Sequence, residues 1–166
     1  MTDEQYAREK WVSRYIEAKK YAEHLRQKYH RLGDQATSVT PNLSGMPSQH
    51  GQPSDKVGQA AAERADLMDD IIEQERMCSA VIHQIESAVS RVDDFEHRQI
   101  LHSRYLDGLP WQDIADEMNY SLRSVHRKKL DALDELPLVV TYNDGKYIAL
   151  YPDAPGIIID HGDDKK

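Results

Sequence analysis

A run of basic side chains with no acidic neighbour is the most chemically informative part of this sequence. From Asn119 to Leu130 there are two arginines, two lysines and one histidine, and neither aspartate nor glutamate occurs. Ammonium and guanidinium groups bind phosphate, and the planar guanidinium also forms paired hydrogen bonds with the edge of guanine. Because the whole chain has a net charge of −8, this positive charge is local and indicates a defined anion-binding surface. The five basic residues are Arg123, His126, Arg127, Lys128 and Lys129.

The residues around this run have the spacing of a helix-turn-helix, with helices predicted over 111–118 and 122–135. Ile114, Ala115 and Met118 fall on one face of the first helix. Asparagine tolerates the left-handed backbone of a helix end, so the turn is predicted at 119, and the serine at 121 can cap the second helix. The alternative is an ordinary helix pair with a solvated basic face, but the local basic stripe favours binding in the major groove of DNA. The predicted motif core is Trp111, Ile114, Ala115, Met118, Val125 and Leu133.

The predicted DNA contacts on the second helix differ in their chemistry. Arg123 lies in the first turn of this recognition helix and is predicted to bind a guanine edge. Arg127 and Lys128 are predicted to hold phosphates, which position the protein without reading the sequence. His126 has three open roles, namely base contact, phosphate contact or packing. The predicted DNA-binding residues are Ser121, Leu122, Arg123, Ser124, His126, Arg127 and Lys128.

Composition argues against several other classes of protein. The eight histidines are dispersed and the single cysteine, Cys78, falls on a packing stripe, so no set of residues has metal-ligand or nucleophile spacing. We therefore predict no catalytic residues, no metal and no cofactor. The lone cysteine fits a reducing compartment, and the sequence shows neither a long apolar run nor the pattern of a signal peptide. These features lead us to expect a cytoplasmic protein that does not contact membranes.

Two long amphipathic helices, coiled-coil-like in pattern, are predicted before the motif over 1–32 and 56–92. Apolar residues recur in both with alternating spacings of four and three, and the first helix is predicted to end at Gly33. The first segment is net positive and the second net negative, so we expect an antiparallel hairpin, a dimer seam, or both. Residues 33–55 are rich in serine, proline and glycine and are predicted to form a flexible linker.

The rest of the chain divides into a helix-turn-helix domain over 93–136 and a β-hairpin with a mobile tail over 137–166. Alternating residues flank the turn signal Asn143–Gly145, and a three-residue loop there would pair Val140 with Ile148. We expect this hairpin to be a separate, auxiliary element, and its open roles are a wing on DNA, a lid on the helix-turn-helix and a dimer strand. The predicted fold class is therefore mainly α, with long N-terminal helices, then the helix-turn-helix domain, then a small C-terminal β-hairpin.

The run from residue 55 to 136 resembles phage and prophage transcription regulators of the ArpU/RinA type, which control late genes and carry a helix-turn-helix like region 4 of sigma factors. The resemblance implies a DNA-binding regulator of transcription that also touches host RNA polymerase. Two positions depart from the pattern, because Asn119 replaces the usual turn glycine and Lys128 stands where an apolar residue normally packs. The matching residues are Asp55–Gly58, Arg98–Leu101, Arg104–Leu106, Trp111, Ile114, Ala115, Met118, Tyr120, Ser121, Arg123, Val125, Arg127, Ala132 and Leu133.

Taken together with the basic helix, this resemblance predicts a sequence-specific DNA-binding transcription regulator of phage or prophage origin, acting on late genes in the cytoplasm of a bacterial host cell. Its expected partners are double-stranded DNA, host RNA polymerase and further copies of itself, in a homo-oligomer formed through Leu25, Tyr29, Ile71 and Ile82. Two alternatives stay open. The protein could serve DNA packaging or assembly, or it could bind RNA polymerase without touching DNA, using the helix-turn-helix as a docking module.

Overall fold

The computed structural model describes residues 1–37, 56–144, 146–152 and 157–159. It confirms the mainly α fold class, in which two long helices precede three short ones and a small sheet. The described residues form two compact units, one from Met1–Ala18 and Cys78–Lys166 (unit 1) and one from Lys19–Met77 (unit 2). The elements are α1 Asp3–Thr37, α2 Lys56–Ser90, α3 Phe95–Tyr105, α4 Trp111–Glu117, α5 Leu122–Glu135, β1 Val139–Asn143, β2 Lys146–Leu150 and β3 Ile157–Ile159.

Unit 2 is a pair of helix segments held by a small apolar core. Leu25 of α1 and Leu67 and Ile71 of α2 are buried together, and Tyr29 and Leu32 pack against them. Burying side chains of this size contributes roughly 1.5–3 kcal/mol each. The oligomer predicted through Leu25 and Ile71 would need these side chains at the surface. The structure instead uses them within one chain, so the prediction for these residues is wrong.

Opposite charges flank this core, as the charge pattern of the two segments predicts. Arg26 pairs with Glu75, and Lys28 Nζ lies 3.4 Å from Glu63 Oε1. The later residue of α1 therefore meets the earlier residue of α2, which confirms an antiparallel hairpin within unit 2. Both pairs are about half exposed, and exposed pairs contribute little to stability. They favour this pairing of the helices, whereas the apolar core supplies most of the stabilisation.

Helix α1 continues through Gly33 to Thr37, so the predicted end of this helix at Gly33 is wrong. A Cβ at Gly33 would lie 3.3 Å from Cζ of Arg64, and the glycine therefore leaves room for the guanidinium against the helix backbone. Glycine is unfavourable in a helix interior, but close packing can require it there. Of the predicted linker 33–55, residues 33–37 are helical and the rest lie outside the described residues.

The core of unit 1 joins residues that are far apart in sequence. Trp11 and Val12 of α1, Ile85 of α2 and Leu101 of α3 are fully buried in it, together with Leu133 of α5. Leu133 was predicted to close the helix-turn-helix core against the first motif helix. It belongs instead to this larger core, because the N-terminal turns of α1 cover that side of α5. The helix-turn-helix segment therefore shares a core with both ends of the described chain.

The C-terminal strands form a three-stranded antiparallel sheet in the order β1-β2-β3. Val140 pairs with Ala149 rather than with the predicted Ile148, because the turn contains two residues and not three. Its first residue, Asp144, has a φ of 49°, as two-residue hairpin turns require. A shift of one residue exchanges the two faces of a strand, and here it places Ala149 in the core.

The third strand and the core contacts of the sheet correct the prediction of a hairpin with a mobile tail. Ile157–Ile159 pairs with β2, and Ile159 is buried, with Leu138 and Tyr151, in the core of unit 1. The Tyr151 hydroxyl lies 2.8 Å from the Ser87 hydroxyl of α2. The sheet is therefore an integral part of unit 1 rather than an auxiliary element. Within the described ranges, none of the helices has the length and apolar character needed to span a membrane.

Candidate nucleic-acid interface

The turn between α4 and α5 is built by two local polar residues. Asn119 has a φ of 54°, which is the left-handed conformation predicted for it. The Tyr120 amide then donates to the Ala115 carbonyl at 2.9 Å, so the chain closes tightly over the end of α4. Ser121 caps α5, because its hydroxyl oxygen accepts a hydrogen bond from the Ser124 amide at 3.2 Å. Both predictions about the turn are confirmed.

A small apolar cluster fixes the angle between the motif helices. Ile114, Ala115 and Val125 are buried as the sequence predicts, but a fourth residue, Ile100 of α3, is fully buried with them. Met118 packs against this cluster from the edge. Sequence reasoning missed Ile100, although its isoleucine lies in the segment 98–101 that carries the resemblance. The motif is therefore a three-helix arrangement in which α3 supports both α4 and α5.

The solvent face of α5 carries the cations that are available to a ligand. Arg123, His126 and Arg127 are exposed, and Leu122 is 40% exposed beside them. Arg123 and Arg127 are four residues apart and therefore lie on the same face of the helix. Among the described residues, no carboxylate pairs with either arginine. This face can offer two guanidinium groups to a polyanion.

Lys128, predicted as a phosphate contact, is bound within the motif. Its ammonium lies 2.6 Å from Glu96 Oε2 of α3 and 5.3 Å from the centre of the Tyr120 ring. The Tyr120 hydroxyl donates to the same carboxylate at 2.8 Å. The hydrogen bond from Lys128 is the main reason that the pKa of Glu96 lies below its ordinary value, and the same bond raises the pKa of Lys128. Lys128 therefore joins α5 to α3.

Lys129, the other lysine of the basic run, is bound to α1. Its ammonium lies 3.1 and 3.0 Å from the two carboxylate oxygens of Glu9, and the Tyr105 hydroxyl donates to Glu9 at 2.9 Å. The pKa of Tyr105 lies well above its ordinary value, mainly because the hydroxyl is buried and secondly because it lies beside the Glu9 carboxylate. The raised pKa favours the protonated hydroxyl, which is the form that donates to Glu9. The sequence offered no signal for this network, because its acidic member is 120 residues away.

Trp111 lies between the network of Glu9, Lys129 and Tyr105 and the exposed face of α5. It is half-buried, and its ring centre lies 5.2 Å from that of His126 and 6.3 Å from that of Tyr105. The Arg104 guanidinium and the Lys129 ammonium lie 4.9 and 5.7 Å from the indole centre, distances at which cations are attracted to an aromatic face. His126 therefore packs on Trp111 while staying exposed, which leaves its edge accessible.

Residues 94–136 match the family described as Sigma-70, region 4. The match starts at Asp94, whose side chain caps α3, and ends at Leu136, directly after α5. It thus covers the three helices that share the Ile100 cluster and includes the whole exposed basic face. Comparisons with curated proteins and with solved structures gave no match. The segment 94–136 is therefore similar to region 4 of sigma-70, a DNA-binding helix-turn-helix of the transcription machinery.

Proposed function

We propose that this chain is a sequence-specific DNA-binding transcription regulator of phage or prophage origin, which controls late genes in the cytoplasm of a bacterial host. The observation that carries the DNA-binding part is the exposed pair Arg123 and Arg127 on the second helix of a sigma region 4-like motif. The phage origin and the late-gene target rest on the sequence resemblance over residues 55–136.

In this proposal, α5 lies in the major groove with its N-terminal end nearest the bases. The helix has 14 residues and is therefore about 21 Å long, enough to follow the groove across several base pairs. Arg123 in the first turn reaches a guanine edge, for which a planar guanidinium supplies two parallel donors. Arg127, one turn later, reaches a phosphate. Ser121, Leu122, Ser124 and His126 complete the proposed contact set, and Lys128 is removed from it.

Two further partners belong to the proposal. RNA polymerase is proposed because the resembling regulators act at promoters, where a DNA-bound protein lies beside the enzyme. A homo-oligomer is proposed because two copies of the motif on neighbouring half-sites would add affinity. Since Leu25 and Ile71 are buried within one chain, we place the oligomer contact on the exposed α2 side chains Met68 and Ile72, which are 46% and 57% exposed.

Selection of duplexes from a random-sequence pool by the full chain tests the proposal directly. A regulator that reads sequence should enrich one motif over successive rounds, and the selected duplex should bind more tightly than a scrambled duplex of the same length. A promoter reporter that carries the selected site should then change its output when the protein is present. Enrichment of no motif would refute sequence-specific binding. A selected site with no effect on the reporter would refute regulation and favour a role in packaging or assembly.

A further inference from the structure

The first turns of α1 make a series of polar contacts with the second half of α5. Gln5 Nε2 donates to Asp134 Oδ2 at 2.8 Å, while the side-chain oxygen of Gln5 accepts from the Thr2 amide at 2.9 Å. Because the Thr2 hydroxyl in turn accepts from the Gln5 amide, the two residues form a capping box. Gln5 is 9% exposed. One side chain therefore both starts α1 and binds it to α5.

Arg8 binds the end of α5 one turn further along. Its Nη1 atom donates to the Leu136 carbonyl at 2.6 Å and lies 3.3 Å from the Leu133 carbonyl. The last carbonyls of a helix lack partners within the helix and carry partial negative charge. The Leu133 and Leu136 carbonyls also accept from the Leu136 and Leu138 amides, and the guanidinium adds a charged donor that stabilises the C-terminal end of α5. Arg8 thus holds the end of α5 opposite the end that the proposed DNA contact uses.

Glu9 makes the contact that bears on the orientation of α5 about its own axis. It binds Lys129 through both carboxylate oxygens and accepts from the Tyr105 hydroxyl. The Lys129 and Glu9 side chains are only 12% and 25% exposed, so the ion pair is partly desolvated. Loss of either partner therefore leaves the other charge poorly compensated. Lys129 follows Arg127 by two residues, which is about 200° around a helix. Holding Lys129 against α1 therefore turns Arg127 away from α1.

We infer that Glu9 is a positioning residue for DNA recognition, which holds Lys129 so that the Arg123 and Arg127 face of α5 is presented to the duplex. The inference rests on the proposed function and extends it, because it makes the N-terminal helix part of the DNA-reading unit. Neither the family match over 94–136 nor the predicted contact set includes any residue of α1.

The test compares Glu9→Gln with the wild-type full chain on the duplex that the wild type selects and on a scrambled duplex. Glutamine keeps the size of the side chain but removes its charge. We expect the preference for the selected duplex to fall roughly tenfold, a typical coupling between separate sites, while the salt dependence of binding stays unchanged. Glu17→Gln, an exposed carboxylate on the same helix, is the matched control and should behave as the wild type. Binding is measured at a temperature at which thermal unfolding shows each variant to be folded.

Several results would overturn the inference while leaving the proposed function intact. One is a Glu9→Gln variant that keeps the full wild-type preference. Another is a salt dependence steeper by about one unit, since each phosphate contact adds about that much; it would mean that Lys129 had been freed to bind DNA. Failure of the wild type itself to prefer any duplex would instead refute the proposed function.

A charge exchange separates positioning from direct contact. Lys129→Glu alone should lose preference for the selected duplex, and Glu9→Lys combined with Lys129→Glu should recover most of it, because the ion pair is rebuilt with its ends reversed. If Lys129 bound phosphate, the double variant would stay as weak as Lys129→Glu, since an acid would then face the DNA. Circular dichroism of both variants shows whether the helices persist. If the double variant is unfolded, the comparison of Glu9→Gln with the wild type decides between the two outcomes.

Discussion

The ammonium of Lys128 lies 2.6 Å from the Glu96 carboxylate, so a cation of the recognition helix is bound to the preceding helix of its own motif. Together with the Glu9–Lys129 pair, this contact divides the five basic residues of α5 into two groups. Two lysines join the helix to its neighbours, and the arginines with His126 remain at the surface. This division predicts that replacing an exposed arginine can reduce the number of phosphate contacts, whereas replacing either lysine leaves that number unchanged.

Lys128→Met should leave the salt dependence of DNA binding unchanged, because the ammonium already has a carboxylate partner. Arg127→Ala, in contrast, should reduce the slope of log affinity against log salt by about one unit. Titrations of each variant with a scrambled duplex at four salt concentrations give the slopes. An equal loss of slope in both variants would show that Lys128 leaves Glu96 when DNA binds.

Arg123→Ala should cost roughly 1–3 kcal/mol of binding free energy at the selected site and relax preference at one base pair, because a bidentate guanine contact is lost. Arg123→Lys is the matched control. It keeps the charge but lacks the planar fork, so affinity for scrambled DNA should persist while the base preference falls. Competition between duplexes that differ at single positions measures the effect. A variant whose preference equals that of the wild type at every position would contradict the base-reading role.

Tyr151→Ala should lower the free energy of unfolding by about 3–5 kcal/mol, the range typical of aromatic truncation in a core. Its ring lies 5.5 Å from that of the buried Trp11, and its hydroxyl contacts Ser87. Tyr142→Ala serves as control, since Tyr142 is 65% exposed, and should cost much less. Urea denaturation followed by far-ultraviolet circular dichroism gives both values. Equal, small effects would mean that the sheet is auxiliary after all.

Ile72→Glu should abolish self-association without loss of helix, because Ile72 is exposed on α2. Leu25→Glu should instead unfold unit 2, since Leu25 is 7% exposed and a charge buried there has no partner. Sedimentation velocity at micromolar concentration, paired with circular dichroism, separates the two effects. If the wild type sediments as a monomer at that concentration, the proposed oligomer is refuted.

The features of the site that the sequence predicts correctly are those determined by neighbouring residues. The left-handed conformation of Asn119 and the cap at Ser121 follow from side chains that act within a few positions of themselves. The partners of Lys128 and Leu133 could not be predicted in the same way, because they come from α3 and from α1. Charge pattern alone shows Lys128 as a free cation. Only the tertiary structure places a carboxylate beside it.

The sheet illustrates a second reason for error. The turn after Asn143 was correctly located, but two-residue and three-residue loops are both compatible with its composition, and the choice between them shifts the register by one. The buried Ala149 distinguishes the two registers, because only the observed one directs this small side chain into the core. Such a criterion depends on knowing what packs against the sheet. In this chain α1 and α2 both contribute to the core that covers the sheet, and no local pattern indicates that these helices pack against it.

The core that joins Trp11 to Ile159 has a consequence for how the protein folds during synthesis. Contacts between residues so distant in sequence require the closure of long loops, and such contacts form slowly. Helix pairing in unit 2 joins residues closer in sequence and can be complete while the ribosome is still translating. Unit 1 cannot close until the strand ending at Ile159 has left the ribosomal tunnel. The core of unit 1 is therefore complete only after Ile159 has been released, and buried N-terminal residues such as Trp11 stay incompletely covered until then.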